Sequence, residues 1–140
     1  MKYLLDTCVI SELVKVKPNK RVVEWIAQCY DEDLYLSALT IGEIQKGIDR
    51  LPKSKKKSRL YLWIKEDLSE RFKGRILDVN ESVARAWGSL LAKEEEKGRK
   101  VPVIDSLIAA TAVIFSLTVV TRNTKDIELD DVSVFNPWGK

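Results

Sequence analysis

Apolar positions along this chain fall into short unbroken blocks that alternate with stretches of helical spacing. The first block ends abruptly at Asp6, in the run LLDTCVISEL. Successive apolar residues over so short a length predict a strand over 2–5 that is buried on both faces. From Thr7 to Val14, the apolar Val9, Ile10, Leu13 and Val14 recur at helical spacing. Pro18 and Asn19 open a second helix, with Val22, Val23, Ile26 and Ala27 as its apolar positions. Leu34 to Ser37 predicts a second strand. A helix follows over about 39–51, with Ile41, Ile44 and Ile48 on one face, and Pro52 ends it. Residues 54–72 predict one basic amphipathic helix carrying Leu60, Trp63, Ile64 and Leu68. Arg75 to Val79 predicts a third strand. Asn80 or Ser82 caps a long helix that runs to Gly98. Val103 to Phe115 predicts a very apolar helix, with further strands over 117–120 and 132–135.

Strands alternating with helices predict an α/β fold, a parallel sheet covered by helices on both faces. The length of 140 residues fits one domain over 1–140, with the helix pair over about 39–72 standing beside the sheet as an arm. No repeat, linker or low-complexity segment interrupts it. The longest weakly polar run, Val101 to Val120, is broken by Pro102, Asp105, Ser106 and two threonines, which reads as buried helix and strand. The expectation is a protein of the cytoplasm that does not enter a membrane. Cys8 and Cys29 are the only cysteines and are expected to be reduced thiols.

Composition narrows the chemistry. There is no histidine, which excludes Ser-His-Asp and Cys-His catalysis and His-ligated zinc. Reaction at neutral pH is left to carboxylates, lysine, a thiolate or a metal. The net charge of +3 is small, but KSKKKSR at 53–59 concentrates Lys53, Lys55, Lys56, Lys57 and Arg59. That cluster suits either a solvated helix start or a polyanion.

The acids fall at strand ends, the edge where open parallel sheets bind ligands. Asp6 follows the first strand. Glu43 lies in LSALTIGEI after the second, and Asp105 sits early in VPVIDSLIAATA. Asn123 and Asp126 follow the fourth strand in VVTRNTKDI. Structural roles are open to each. Asp6 or Thr7 fits a helix cap, Thr40 and Glu43 have capping-box spacing, Asp105 suits a helix start and Asn123 a turn. Asp105 is the hardest to explain structurally, being the one carboxylate in a helix otherwise nearly free of charge. Carboxylates converging on one edge repel each other, and a hard divalent cation relieves this. Such an ion activates water and stabilises the leaving oxygen of a phosphodiester.

LLDTCVISEL, TIGEI, DSLIAATA and VVTRNTKD, followed by VFNPW, together resemble the PIN-domain ribonucleases of the VapC toxin group, FitB-type members most of all. The likeness covers almost the whole chain. It implies a PIN-like three-layer fold with a five-stranded parallel sheet in order 3-2-1-4-5. It also implies an endoribonuclease dependent on Mg²⁺ or Mn²⁺, which is the toxin of a type II toxin–antitoxin pair. The partners it implies are an RNA substrate, a VapB-like antitoxin, and a second copy in a homodimer or a larger toxin–antitoxin assembly.

By the same resemblance Asp6, Glu43 and Asp105 are the catalytic acids. Asp6 and Asp105 match metal ligands, and Glu43 matches a third acid that holds a metal or its water. Thr7 and Thr121 line the site. FitB-type members have aspartate where this chain has Asn123, so the fourth site residue is Asn123 or Asp126. Cys8 stands where the family commonly has asparagine. Arg122, with Lys53, Lys55, Lys56, Lys57 and Arg59, is a candidate contact for RNA. The alternative reading is a PIN module that binds RNA or antitoxin with weak or no cleavage. A receiver domain would need paired acids before its first helix and a lysine after a late strand, and a dehalogenase-like phosphatase would need D-x-D, where Asp6-Thr7-Cys8 fails.

Overall fold

The computed structural model describes residues 1–129 and 131–139. Its elements run β1 (Tyr3–Leu5), α1 (Thr7–Leu13), α2 (Lys20–Gln28), a 3₁₀ turn (Asp31–Asp33), β2 (Leu34–Ser37) and α3 (Ala38–Asp49). There follow α4 (Lys55–Leu62), a π-helical segment (Trp63–Leu68), α5 (Ser69–Arg71), β3 (Ile76–Leu77) and α6 (Glu81–Glu96). The chain closes with α7 (Val103–Phe115), β4 (Thr118–Val120), α8 (Thr124–Ile127) and β5 (Val134–Phe135). The five strands form one parallel sheet in the order β3-β2-β1-β4-β5, as the resemblance implied.

β1 is the central strand, and its alternation explains its unbroken apolar sequence. Leu4 faces one core with Ile108, Ala109, Val119 and Ile127. Leu5 faces the other with Val9, Ile10, Leu36 and Phe72. Both leucines are wholly buried, because a strand with helices on both sides has no solvated face. The register pairs Tyr3 with Leu34 of β2 and with Thr118 of β4, so the carboxyl ends of β1, β2 and β4 lie side by side. Small side chains at Ala109, Ala110 and Ala112 fill α7's buried positions. The Trp87 indole N–H of α6 donates to Ser106 Oγ of α7 at 2.9 Å.

Three elements differ from expectation. The single helix expected over 54–72 contains the π segment Trp63–Leu68. Ser69 Oγ donates to Ile64 O across the widened turn at 3.1 Å. The extra residue leaves Leu62 exposed and turns Ile64, Leu68 and Phe72, spaced four apart, into the core. The short helix α8 was not expected, because four residues are too few to show helical periodicity. The cap of α3 is Ser37, whose Oγ accepts from the Leu39 N–H at 3.1 Å, so the T-x-x-E spacing of Thr40 and Glu43 does not form a capping box. Thr40 Oγ1 is buried with no hydrogen-bond partner among the described residues.

These two hydroxyls predict opposite outcomes. Ser37→Ala removes a real cap and is expected to cost about 1 kcal/mol. Thr40→Val removes an unsatisfied buried hydroxyl at constant shape and is expected to be neutral or mildly stabilising. Urea unfolding of both variants checks this; an equal loss for each would mean that Thr40 caps the helix after all.

Candidate active site

The site starts where β1 ends. The Asp6 N–H continues the sheet by donating to Val120 O at 2.9 Å, which fixes the backbone before α1 begins. Asp6 Oδ1 accepts from the Thr7 N–H at 2.9 Å and so caps α1. Oδ2 accepts from Thr121 Oγ1 at 2.8 Å. Thr121 is wholly buried just beyond β4, and its hydroxyl also accepts from the Asn123 N–H at 3.1 Å. Asp6 is therefore a helix cap and also part of the acid cluster; the two roles use different oxygens.

Glu43 is carried by α3, which leaves β2 at Ser37. Thr7 Oγ1 donates to Glu43 Oε1 at 2.5 Å, tying the first residue of α1 to the acid of α3. Asp105 lies in the first turn of α7 and is partly buried. Its carboxyl is pushed up from 3.8 to about 6, first by burial and then by the charges of Asp6, Asp126 and Glu43. A position at a helix start favours the anion. Burial and the neighbouring carboxylates outweigh that here. The structure thus gathers Asp6, Glu43, Asp105 and Asp126 into one electrostatic cluster. Asn123 contributes its backbone N–H, and the charge at this junction comes from exposed Asp126 on α8.

Cys8 sits inside this network. Its Sγ accepts from the Arg122 N–H at 3.4 Å and lies 3.6 Å from Thr121 Oγ1. The thiol is placed to donate weakly to Asp6 Oδ2 at 3.9 Å. Burial pushes the thiol up against the pull of the Arg122 N–H, and the charge of Asp6 adds to the rise. The sequence suggested only a small buried thiol; the structure makes it a tether between α1 and the end of β4.

All of the charged donors are hard carboxylate oxygens, which suits a hard cation. Among the described residues no three His, Cys, Asp or Glu side chains close into a ready-made cage. Magnesium keeps several waters and needs only one or two protein carboxylates, so an open site of this kind fits it. The strongest sign of fit is Asp105, whose carboxyl is raised by burial and then by the charges of Asp6, Asp126 and Glu43, charges that a cation would offset.

The basic residues divide. Lys53, Lys55 and Arg59 are exposed around an open hollow with Ser54 and Ser58. Lys57 turns back instead, donating to Asp49 O at 3.2 Å and Leu51 O at 3.0 Å, so it closes the end of α3 rather than facing outward. Lys56 borders a groove between α1, α3 and α4 that runs from Thr7 and Glu43 past Ile48 to Leu60 and Trp63.

Comparison with known proteins agrees with this geometry. The PIN domain family model matches residues 3–133. The chain is 42% identical over 135 residues to Toxin FitB of Neisseria gonorrhoeae, covering 96% of this chain and 97% of that protein. It is 34% identical over 135 residues to VapC ribonuclease Y4jK of Sinorhizobium fredii, covering 96% of each. Among solved structures, FitAcB from Neisseria gonorrhoeae superposes with a TM-score of 0.93 at 42% identity, over 97% of this chain and 98% of that one.

The raised carboxyl of Asp105 makes the stability of the metal-free protein fall with pH. Below pH 3.8 the group is protonated folded and unfolded alike and contributes nothing. Between 3.8 and about 6 the unfolded chain releases its proton first, so stability declines as pH rises and stays lower above that window. Discounted for partial exposure, the loss is on the order of 1 kcal/mol. In EDTA at about pH 7, Asp105→Asn is therefore expected to melt higher than the unmodified protein by about 3 °C. The difference should vanish towards pH 3.8. A lower melting temperature throughout would make Asp105 a structural helix-start residue.

Proposed function

The chain belongs to the PIN-domain family, and from that premise we propose that it is a divalent-metal-dependent endoribonuclease, the toxin of a pair whose other member is a VapB-like antitoxin. The observation that supports this most directly is Asp105, partly buried and raised first by that burial and then by the surrounding Asp6, Asp126 and Glu43. Such an excess of carboxylates is unfavourable on its own and favourable around a cation.

The residues divide the work by what holds them. Asp6 and Asp105 would hold a magnesium or manganese ion. When bound, the ion supplies water activation and offsets charge on the scissile phosphodiester. Thr7 occupies Glu43 Oε1, leaving Oε2 to face the ion or a water. Thr121 and the Thr7 N–H each take one oxygen of Asp6 and fix the rotation of its carboxylate. Asp126 supplies the fourth charge where Asn123 is neutral. Lys53, Lys55, Lys56 and Arg59 guide the RNA backbone, and Arg122 contacts a phosphate close to the acids. No helix among the described residues is long and apolar enough to cross a membrane. A homodimer working in the cytoplasm belongs to the same proposal.

The groove beside Glu43 is the place for the antitoxin. Ile44, Ile48, Leu60 and Trp63 give it an apolar floor, and Thr7 and Glu43 belong to both groove and acid cluster. An amphipathic segment laid there would block substrate entry by position alone. A basic side chain at its end would also replace the cation.

A mixed RNA pool is expected to be cut in the presence of Mn²⁺ and left intact in EDTA. Asp6→Asn and Asp105→Asn should each lower the rate by about two orders of magnitude or more. Metal at a hundred times its Kd should stabilise the protein by about 2.7 kcal/mol in thermal melts. RNA binding without metal-dependent cleavage or a metal-dependent shift would leave a binding module instead.

A further inference from the structure

Trp138 is held from several sides. Its side chain packs against the core cluster that contains Val9, Ile10 and Val22. Its N–H donates to Asn136 Oδ1 at 2.8 Å, in a turn containing buried Pro137. Its carbonyl accepts from Arg21 Nη1 at 3.5 Å. Glu12 of α1, a buried acid that accepts from Lys15 Nζ at 3.0 Å and from the Asn19 N–H at 2.9 Å, lies near enough for the Trp138 side chain to help lower its carboxyl, after Lys15 and the Asn19 N–H. Here α1, α2 and the terminal turn all converge on one indole.

The indole's ring face carries one cation. The Arg122 guanidinium carbon lies 5.4 Å from the Trp138 ring centroid, within cation–π range. Arg122 directly follows Thr121, the residue whose hydroxyl holds Asp6. Its own N–H is held by Cys8 Sγ. Arg122 is therefore restrained at both ends, by the thiol at its backbone and by the indole at its guanidinium. An exposed arginine otherwise samples many rotamers and loses that freedom on binding a phosphate.

We propose that Trp138 is a positioning residue that pre-orients Arg122, the residue that follows Thr121, to take a phosphate of single-stranded RNA next to the scissile one. The proposal rests on the ribonuclease reading for the identity of the polyanion. A stacked guanidinium keeps its N–H edges free for phosphate oxygens, so the stack and the phosphate contact do not compete. The restraint lowers the entropic cost of the contact, and so strengthens RNA binding more than it changes the chemical step.

A double-mutant cycle on RNA affinity tests this apart from cleavage. Binding of a fluorescein-labelled single-stranded RNA is measured in EDTA, where no hydrolysis interferes, for the unmodified protein, Trp138→Leu, Arg122→Ala and the double variant. Trp138→Leu is expected to weaken binding by about fivefold, the size of a modest cation–π term. The loss should disappear in the Arg122→Ala background, and Trp138→Phe should restore most of the affinity. Arg122→Ala should also reduce the salt slope by about 0.7, the value of one contact to a single strand. Equal losses from Trp138→Leu in both backgrounds, failure of Trp138→Phe to rescue, or no measurable RNA binding would each overturn the proposal. Cleavage by the unmodified protein in Mn²⁺ reports separately on the ribonuclease reading. Under Mn²⁺, Trp138→Leu should raise KM and leave kcat near its original value, whereas a purely structural role would lower the melting temperature and the active fraction together.

Discussion

The Asp6 carboxylate is held by two bonds of different origin, the Thr7 amide on one oxygen and the buried Thr121 hydroxyl on the other. The first belongs to a helix start and the second to the end of a neighbouring strand. Together they lock the orientation of a single charged group at the carboxyl end of β1, where the strand emerges from the two cores. The rest of the site is arranged by reference to it. Thr7, fixed by that cap, hands its hydroxyl to Glu43. Thr121, fixed by that bond, sets the turn that carries Arg122, Asn123 and then α8. A carboxylate with freely rotating oxygens would leave each of these connections undefined.

This arrangement also explains why the acids do not collapse into a self-satisfied network. Among the described residues each hydrogen bond into Asp6 and Glu43 comes from a neutral donor, an amide, a hydroxyl or the Cys8 thiol, so none cancels charge. Elsewhere the chain handles buried acids differently. Glu12 is met by Lys15, and Glu94 by Lys97 and Arg99. In those pairs the attraction offsets the cost of removing a charge from water. Where this chain needs an acid only to hold helices together, it supplies a cation from itself. At the strand edge it supplies neutral donors and keeps the negative potential.

Much of this was legible in the sequence because it depends on local signals. The parallel sheet followed from strand–helix alternation, and its order 3-2-1-4-5 from the family resemblance. Asp6 follows β1 and Glu43 lies just beyond β2, so their place on one edge was legible, whereas Asp105 follows a helix and was marked only by being the one carboxylate in an apolar helix. What was not legible depends on contacts between residues far apart in the chain or on segments too short to show a period. The Thr7–Glu43 bond spans 36 residues, and the Cys8–Arg122 contact spans 114. Neither has a spacing rule. The T-x-x-E box at Thr40 failed for a structural reason: α3 starts earlier, at Ser37, where the strand ends. Lys57 looked like the rest of its basic run, and only the proximity of the α3 carbonyls turned it inward.

The excess negative charge connects activity to its control. On the proposed function, a carboxylate cluster that its own donors leave charged would take its cation either from a metal ion or from a bound partner. A hydrated metal ion would neutralise the acids while leaving room for a phosphodiester. A lysine or arginine side chain neutralises them equally well and leaves none, because its stem fills the approach. The groove that begins at Thr7 and Glu43 gives such a side chain an apolar track along which the rest of its segment can bind. Inhibition of this kind would need no rearrangement of the site. It needs a competitor whose affinity is spread along the groove and whose charge arrives where the metal would sit, so that each occupant excludes the other by occupying one electrostatic well.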